Sequence, residues 1–162
     1  MFHFGTACPR WEKKEEEVLS IKQEISLGDI KPTQGIFYDG EVFDAHNFVA
    51  NLIRDAKKSI VLIDNFVDDS VLTLLSKNQN ITVSIYTQSL SKQLKLDLEK
   101  YNKQYRAINI KIFKNSHDRF MIIDEDEVYH IGASLKDLGK KWFAFSKFDI
   151  SALEIFERLE SK

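Results

Sequence analysis

Ile60-Val61-Leu62-Ile63 is an apolar run with no polar residue between its members. A strand open to water on one face alternates apolar and polar residues, whereas an unbroken run suits a strand covered on both faces. On its N-terminal side Ala45, Phe48, Val49, Leu52, Ile53 and Ala56 recur at three- and four-residue spacing, which predicts an amphipathic helix with Asp44 as its cap. On its C-terminal side Asp68-Asp69-Ser70 opens a short helix, and Ile81, Val83 and Ile85 alternate with Thr82, Ser84 and Tyr86 as a strand. Leu94, Leu98, Tyr101 and Tyr105 mark the next helix, and Ile108, Ile110 and Ile112 the next strand. Strand, helix, strand, helix, strand at this spacing predicts βαβ crossovers around a parallel core.

Further out the rhythm changes. Gly35 to Gly40 reads as a short strand entering a turn. Arg119 to Asp124 (RFMIID) and Val128 to Gly132 (VYHIG) are two strands about an acidic turn, hence a hairpin, and Trp142 to Phe148 supplies one more strand. Ser151 with Glu154 has the spacing of a capping box, ahead of a last helix lined by Ala152, Ile155, Phe156 and Leu159. The predicted fold is α/β, a mixed, mostly parallel sheet flanked by helices on both faces, over residues 35–162. Residues 1–34 are read as an N-terminal helix and linker. Trp11, Val18, Ile21 and Ile25 form one narrow apolar stripe there, so this helix packs on its own domain, on a second copy, or on a partner protein.

Composition narrows the function classes. Lys and Arg total 23 against 25 Asp and Glu, a formal charge of -2, so contact with nucleic acid must come from a local patch, not from the whole surface. With 43% apolar and 30% charged residues the chain is globular, not disordered. The single Cys8 excludes an internal disulfide and argues against a cysteine-based zinc site. No apolar run reaches the ~18 residues of a membrane span, and the start lacks a signal-peptide core, so a cytoplasmic location is expected. Gly-rich phosphate loops, nucleophile elbows and dinucleotide fingerprints are missing from the sequence, and no cofactor or metal is expected.

Reactive groups concentrate in Ser116-His117-Asp118-Arg119 and the hairpin that follows. On a strand, His117 and Arg119 share a face. With Ile123 opposite Val128 across the turn, Arg119 would oppose Gly132 and His117 would face Ser134, with Met121 and His130 on the same face. A histidine can attack phosphorus, an adjacent cation can hold phosphate oxygens, and a glycine leaves room for substrate. A His beside an Arg at a strand end is more often an ordinary surface pair than a catalyst. His3, His46 and His130 are too scattered for a metal signature. Asp64-Asn65, at the end of the central strand, stands where ligands gather in parallel sheets, or else forms a turn.

The spacing His117-x-Arg119-x4-Asp124 resembles the His-x-Lys-x4-Asp signature of the phospholipase D superfamily. The window Ile131-Gly132-Ala133-Ser134 is similar to the Gly-Ser-x-Asn-like segment that follows in that family. The likeness covers roughly Gly35 to the C-terminus and implies a phospholipase D-like half-domain. The passage from His117 to Phe145 also resembles a domain of bacterial, phage-related proteins that carry DNA-binding modules. The resemblance implies a metal-independent phosphodiesterase or nuclease. His117 would be the nucleophile and form a phosphohistidine, and Arg119, Ser134, Gly132 and Lys136 would hold phosphate. A second chain would supply the second motif, so a homodimer acting on nucleic acid is implied. Asp124, of opposite strand parity, is expected to serve structure at the strand end. The alternative is a catalytically weakened member that binds nucleic acid or dimerises.

The departures concern named positions. Arg119 replaces the family's Lys, Gly132 stands at the Ser position and Ser134 at the Asn position. The family's downstream Glu falls near Lys141-Trp142, where no acid stands, leaving Asp137 or Asp149 as substitutes. Two basic segments bracket the motif: seven basic residues against two acids over 91–114, and four against one over 136–147. They would track a nucleic-acid backbone, or be solvated faces.

Overall fold

The computed structural model describes residues 31–161. The expected N-terminal helix and the first part of the linker lie outside the described residues. The unit that carries the elements below is Gln34–Lys162.

Seven strands form one sheet: β1 (Gln34–Phe37), β2 (Ser59–Ile63), β3 (Thr82–Thr87), β4 (Ile108–Ile112), β5 (Arg119–Ile123), β6 (Glu127–Ile131) and β7 (Phe143–Phe148), in the order β1-β7-β6-β5-β2-β3-β4. Among the described residues the helices are α1 (Val42–Asp55), α2 (Asp69–Leu75), α3 (Lys92–Gln104) and α4 (Leu153–Glu160), with a 3-10 turn at Leu135–Asp137. The βαβ reading holds for β2, β3 and β4, which are parallel neighbours. The other four pairings are antiparallel, so the sheet is mixed but mostly antiparallel, not mostly parallel as the sequence predicts. Chain length explains the difference. A parallel return needs a crossover of a dozen or more residues. The segment between β4 and β5 is far shorter, and it crosses the ends of β3 and β2 on the way. It is pinned to each in turn, by Phe113 N–H to Thr87 O (2.8 Å) and by Asn65 Nδ2 to Ser116 O (2.7 Å).

Helices cover both faces. The larger core joins Ile60, Leu62, Ile85, Met121 and Ile131 of the sheet to Ala45, Val49 and Ile53 of α1, to Val71 and Leu75 of α2 and to Leu94 of α3. On the other face Ile122 and Val128 meet Ala152, with Ile155 and Phe156 of α4 packed against them. Each fully buried Ile, Leu or Val contributes roughly 1.5–3 kcal/mol of hydrophobic stabilisation. Two caps differ from expectation. The cap of α1 is Glu41, not Asp44; its carboxylate accepts from Tyr38 N–H (2.7 Å). At α4 the capping box does not close, since Glu154 reaches forward to Arg158 (3.0 Å) instead of back. Asp68 and Ser91 do cap α2 and α3, accepting from Ser70 N–H and Leu94 N–H.

The hairpin register is one residue away from the sequence expectation. Ile123 pairs with Glu127 and Arg119 with Ile131, so Met121 shares its face with Tyr129, while His130 pairs with Phe120 on the opposite face. His117 lies in the bend before β5, not on a strand, and is exposed. Among the described residues no helix is long and apolar enough to cross a membrane.

Candidate functional site

The C-terminal ends of β2 and β3, the start of β5 and the end of β6 meet at one edge of the sheet. β2 runs directly into Asp64, which is fully buried. Its Oδ1 accepts from Phe66 N–H (3.0 Å) and its Oδ2 from Leu135 N–H (3.0 Å), joining the segments that follow β2 and β6. Ser134 Oγ lies 2.9 Å from both carboxyl oxygens and 2.8 Å from Phe66 O. A hydroxyl has one proton to give. Around an ionised Asp64 it could satisfy one of three acceptors. With Asp64 neutral, the carboxyl donates to Oγ and Ser134 donates to Phe66 O. Burial pushes the Asp64 carboxyl up; the hydrogen bonds from Phe66, Leu135 and Ser134 and the charge of Arg119 pull it down without cancelling that effect.

Arg119 opens β5 and is half-buried. Among the described residues no hydrogen-bond or ion-pair partner takes up its guanidinium, although the charge acts on Asp64. It lines a cavity of about 540 Å³ together with Gly132, Ser134, Lys136, Lys140 and Lys141. Phe66, Ala133, Asp137 and Trp142 complete the wall. Lys136 Nζ stands 5.7 Å from the centre of the Phe66 ring, and Lys140 pairs with Asp137 (3.0 Å).

The lysine-bearing loop is fixed from outside the cavity. Gly139 adopts φ +77°, and a Cβ there would lie 2.5 Å from Val42 Cα. Its carbonyl accepts from Gly40 N–H (3.1 Å), and Trp142 Nε1 donates to Asp39 Oδ1 (2.6 Å). Gly132 lines the cavity and also serves the sheet. A Cβ there would meet Ala144 O at 2.9 Å, so the missing side chain makes room for the β7 backbone, to which Gly132 N–H donates (2.8 Å).

The structure therefore brings Arg119, Gly132, Ser134 and Lys136 to one cavity. His117 is not among its lining residues; it sits two residues before Arg119, in a segment held by the Asn65–Ser116 bond. Asp124 is at the other end of β5, ~16 Å from Arg119 at about 3.3 Å per strand residue. There it accepts from Lys57, Lys58 and Ser59 N–H. Of the two basic segments, the second lines the cavity through Lys136, Lys140 and Lys141, while no residue of 91–114 does. Asp137 is engaged with Lys140. His130 faces Asp118 (3.5 Å) and lies parallel to Phe148, on the α4 side of the sheet. Among the described residues no group of three or more His, Cys, Asp or Glu side chains is placed to hold a metal.

Sequence reasoning missed Phe66, Lys140, Lys141 and Trp142 as site residues. The excess of positive charge over 136–147 pointed to the two lysines. Phe66 carried no signal, and Trp142 was marked only as lying near the place where the family's downstream Glu falls.

No family model matches this chain, and no curated protein matches it. Solved structures do. NucT from Helicobacter pylori is 18% identical, with a TM-score of 0.58 over 79% of this chain and 93% of its own. Polyphosphate kinase from Porphyromonas gingivalis is 15% identical, with a TM-score of 0.53 over 88% of this chain and 24% of its own. The archaeal chromatin protein TrmBL2 is 14% identical, with a TM-score of 0.50 over 93% of this chain and 64% of its own. At these identities the likeness is one of fold. The fold is phospholipase D-like.

Proposed function

We propose that the cavity at Arg119 binds the phosphodiester backbone of nucleic acid, and that a homodimer cleaves it without metal through a phosphohistidine on His117. The observation that carries this reading is Arg119 itself. A half-buried guanidinium with no acceptor among the described residues keeps its whole donor fork for a ligand, and a phosphate matches that fork. Lys136, Lys140 and Lys141 on the same wall add charge for neighbouring phosphates. TrmBL2, of similar fold, is a chromatin protein with a described mode of DNA binding, which supports nucleic acid as the ligand. In the reaction, His117 would attack phosphorus and form a P–N bond as the P–O bond to the leaving hydroxyl breaks, while the cations hold the oxygens on which charge builds; water would then cleave the P–N bond and free His117. The second His that protonates the leaving group would come from the other copy, since this chain has one motif.

A second reading is a binding module without turnover. Ser134 favours it: the hydroxyl at the family's Asn position is engaged with Asp64 and Phe66. The test is a paired titration and hydrolysis assay in chelator on wild type, His117→Ala and Arg119→Lys. The enzymatic reading expects chelator-resistant cleavage, an acid-labile phosphate on the wild type, and loss of turnover in His117→Ala with binding kept. Binding that is weakened by Arg119→Lys with no cleavage in any form establishes the module. Failure of any oligonucleotide or phosphate to bind removes both readings.

A further inference from the structure

We infer that the strand taken by this cleft has unpaired bases, and that Phe66 and Trp142 are the platforms on which they stack. The inference rests on the phosphate-binding reading of the same cavity and names its substrate class. Phe66 is 49% exposed and Trp142 67% exposed, on the same wall as the four cations. Leaving two large rings in water forfeits the burial that aromatic side chains ordinarily gain.

The Trp142 ring and the Phe66 backbone are held in place. Trp142 is fixed by its bond to Asp39 and by the Tyr38 ring, edge-on at 4.7 Å and 87°. Phe66 is fixed through its backbone, with its N–H on Asp64 and its carbonyl at Ser134. The Trp142 ring, already ordered, loses little conformational freedom when a base lands on it. Lys136, over the Phe66 ring, places a cation beside that platform.

Two alternatives fit less well. A regular duplex keeps its base faces inside its own stack and offers groove edges and phosphates, which gives the rings nothing to cover. A free mononucleotide would use one or two cations, whereas Arg119, Lys136, Lys140 and Lys141 are set against the single acid Asp137. Cations for several phosphates beside aromatic platforms match the pattern of single-strand binding.

The chain has two tryptophans, Trp11 and Trp142. In the full chain carrying Trp11→Phe and His117→Ala, Trp142 alone reports and the strand is not consumed. Three probes about 12 nucleotides long are titrated at fixed salt: a single strand, its blunt duplex, and an abasic oligomer of equal length. The inference expects the single strand to quench Trp142 and to bind about tenfold tighter than the other two. Trp142→Leu and Phe66→Leu, each checked for native circular dichroism, should erase most of that preference, followed by fluorescence anisotropy of labelled probes. Equal affinity for all three probes without quenching overturns the stacking while leaving phosphate binding intact. If no probe binds, the phosphate reading fails and this inference falls with it.

Discussion

Asp64 and Asp124 stand at opposite ends of β2, and their carboxyls are displaced in opposite directions. Asp124 lies beyond the hairpin end of β5. Burial pushes its carboxyl up, but the N–H groups of Lys58, Ser59 and Lys57 and the charge of Lys58 together outweigh that and hold it below the ordinary range. At Asp64 burial also pushes up, and there the two backbone N–H bonds, Ser134 and Arg119 do not outweigh it. The deciding quantity is how much dry surroundings each carboxylate must offset: Asp124 keeps part of its surface in water, while Asp64 keeps none. The wider surroundings follow the same division. Around Asp124 the carboxylate and three backbone N–H groups satisfy one another and tie the α1–β2 connection to the hairpin. Around Asp64 the cations Arg119 and Lys141 have no hydrogen-bond partner among the described residues. At one end of the strand donors and carboxylate meet; at the other, two cations line a cavity.

The largest effect expected from breaking this contrast is at Asp124. Asp124→Ala strips the acceptor from three consecutive N–H groups, which lie 2.6–3.2 Å from its carboxylate. Unsatisfied donors cost about 1–3 kcal/mol each, and water reaches part of this site, so a total loss of about 2–4 kcal/mol is expected. The sign of the pH dependence follows from the direction of the shift. A carboxyl lower in the folded than in the unfolded chain stabilises above the ordinary carboxylate value, and that stability is lost as pH falls through the folded value. The gap between wild type and variant should therefore close in acid. Urea unfolding at about pH 7 and about pH 3 measures it. Phosphate affinity should not change, and a variant that lost it would show that the two ends of the strand are not independent.

Asp64→Asn tests the other end. The amide oxygen can keep one of the N–H bonds from Phe66 and Leu135, but the NH2 group cannot accept the second. One buried N–H is left without an acceptor, at a cost of about 1–3 kcal/mol. Here the pH dependence reverses. A carboxyl raised in the folded state contributes fully below its unfolded value, and that contribution erodes as pH rises from there toward the folded value. Asn does not titrate, so the gap should be widest in acid and narrow toward neutral pH. Unfolding midpoints of the two proteins across that range decide it. A gap that widens with pH, as at Asp124, would mean that Asp64 is ionised in the native protein and that the proton count around Ser134 is wrong.

The βαβ half of the sheet was legible because each element kept its own period and short segments joined them. The hairpin was legible as a hairpin but not in register. Ile122, Ile123, Val128 and Tyr129 are all essentially buried, so neither face shows the alternation that sets parity. The pairing of β1 with β7, Gly35 beside Phe145, joins residues too distant for any local pattern to reveal. For the site, motif spacing pointed to Arg119, Gly132, Ser134 and Lys136, and one cavity holds all four. It misplaced His117, because β5 begins only at Arg119 and strand parity does not extend into the bend before it. It gave no hint of Phe66, and marked Trp142 only through the place of the family's downstream Glu; that the two rings share a cavity is a property of the folded chain alone.

The smallest expected effect lies in the turn that sets the hairpin register. Asp126 N–H donates to Ile123 O (3.1 Å), and Asp124 and Glu125 between them have φ of 55° and 63°. Both central residues stand in the left-handed region, a conformation usually taken by Asn and Gly. Asp tolerates this conformation better than Glu, whose side chain gains nothing there to offset about 1–2 kcal/mol of steric cost. Glu125→Gly removes that cost but adds freedom to the unfolded chain, so a net stabilisation of about 0.5–1 kcal/mol is expected. Glu125→Gln separates geometry from charge: it removes one acid from a turn in which residues 124–127 are all acidic, yet keeps the unfavourable Cβ. Thermal midpoints should rise for Gly and move little for Gln. If Gly destabilises, residue 125 is not in the left-handed region, and the pairing of Ile123 with Glu127 is displaced. Because the same register sets Arg119 opposite Ile131 and turns it toward the cavity, this small measurement also checks the placement on which the proposed phosphate site depends.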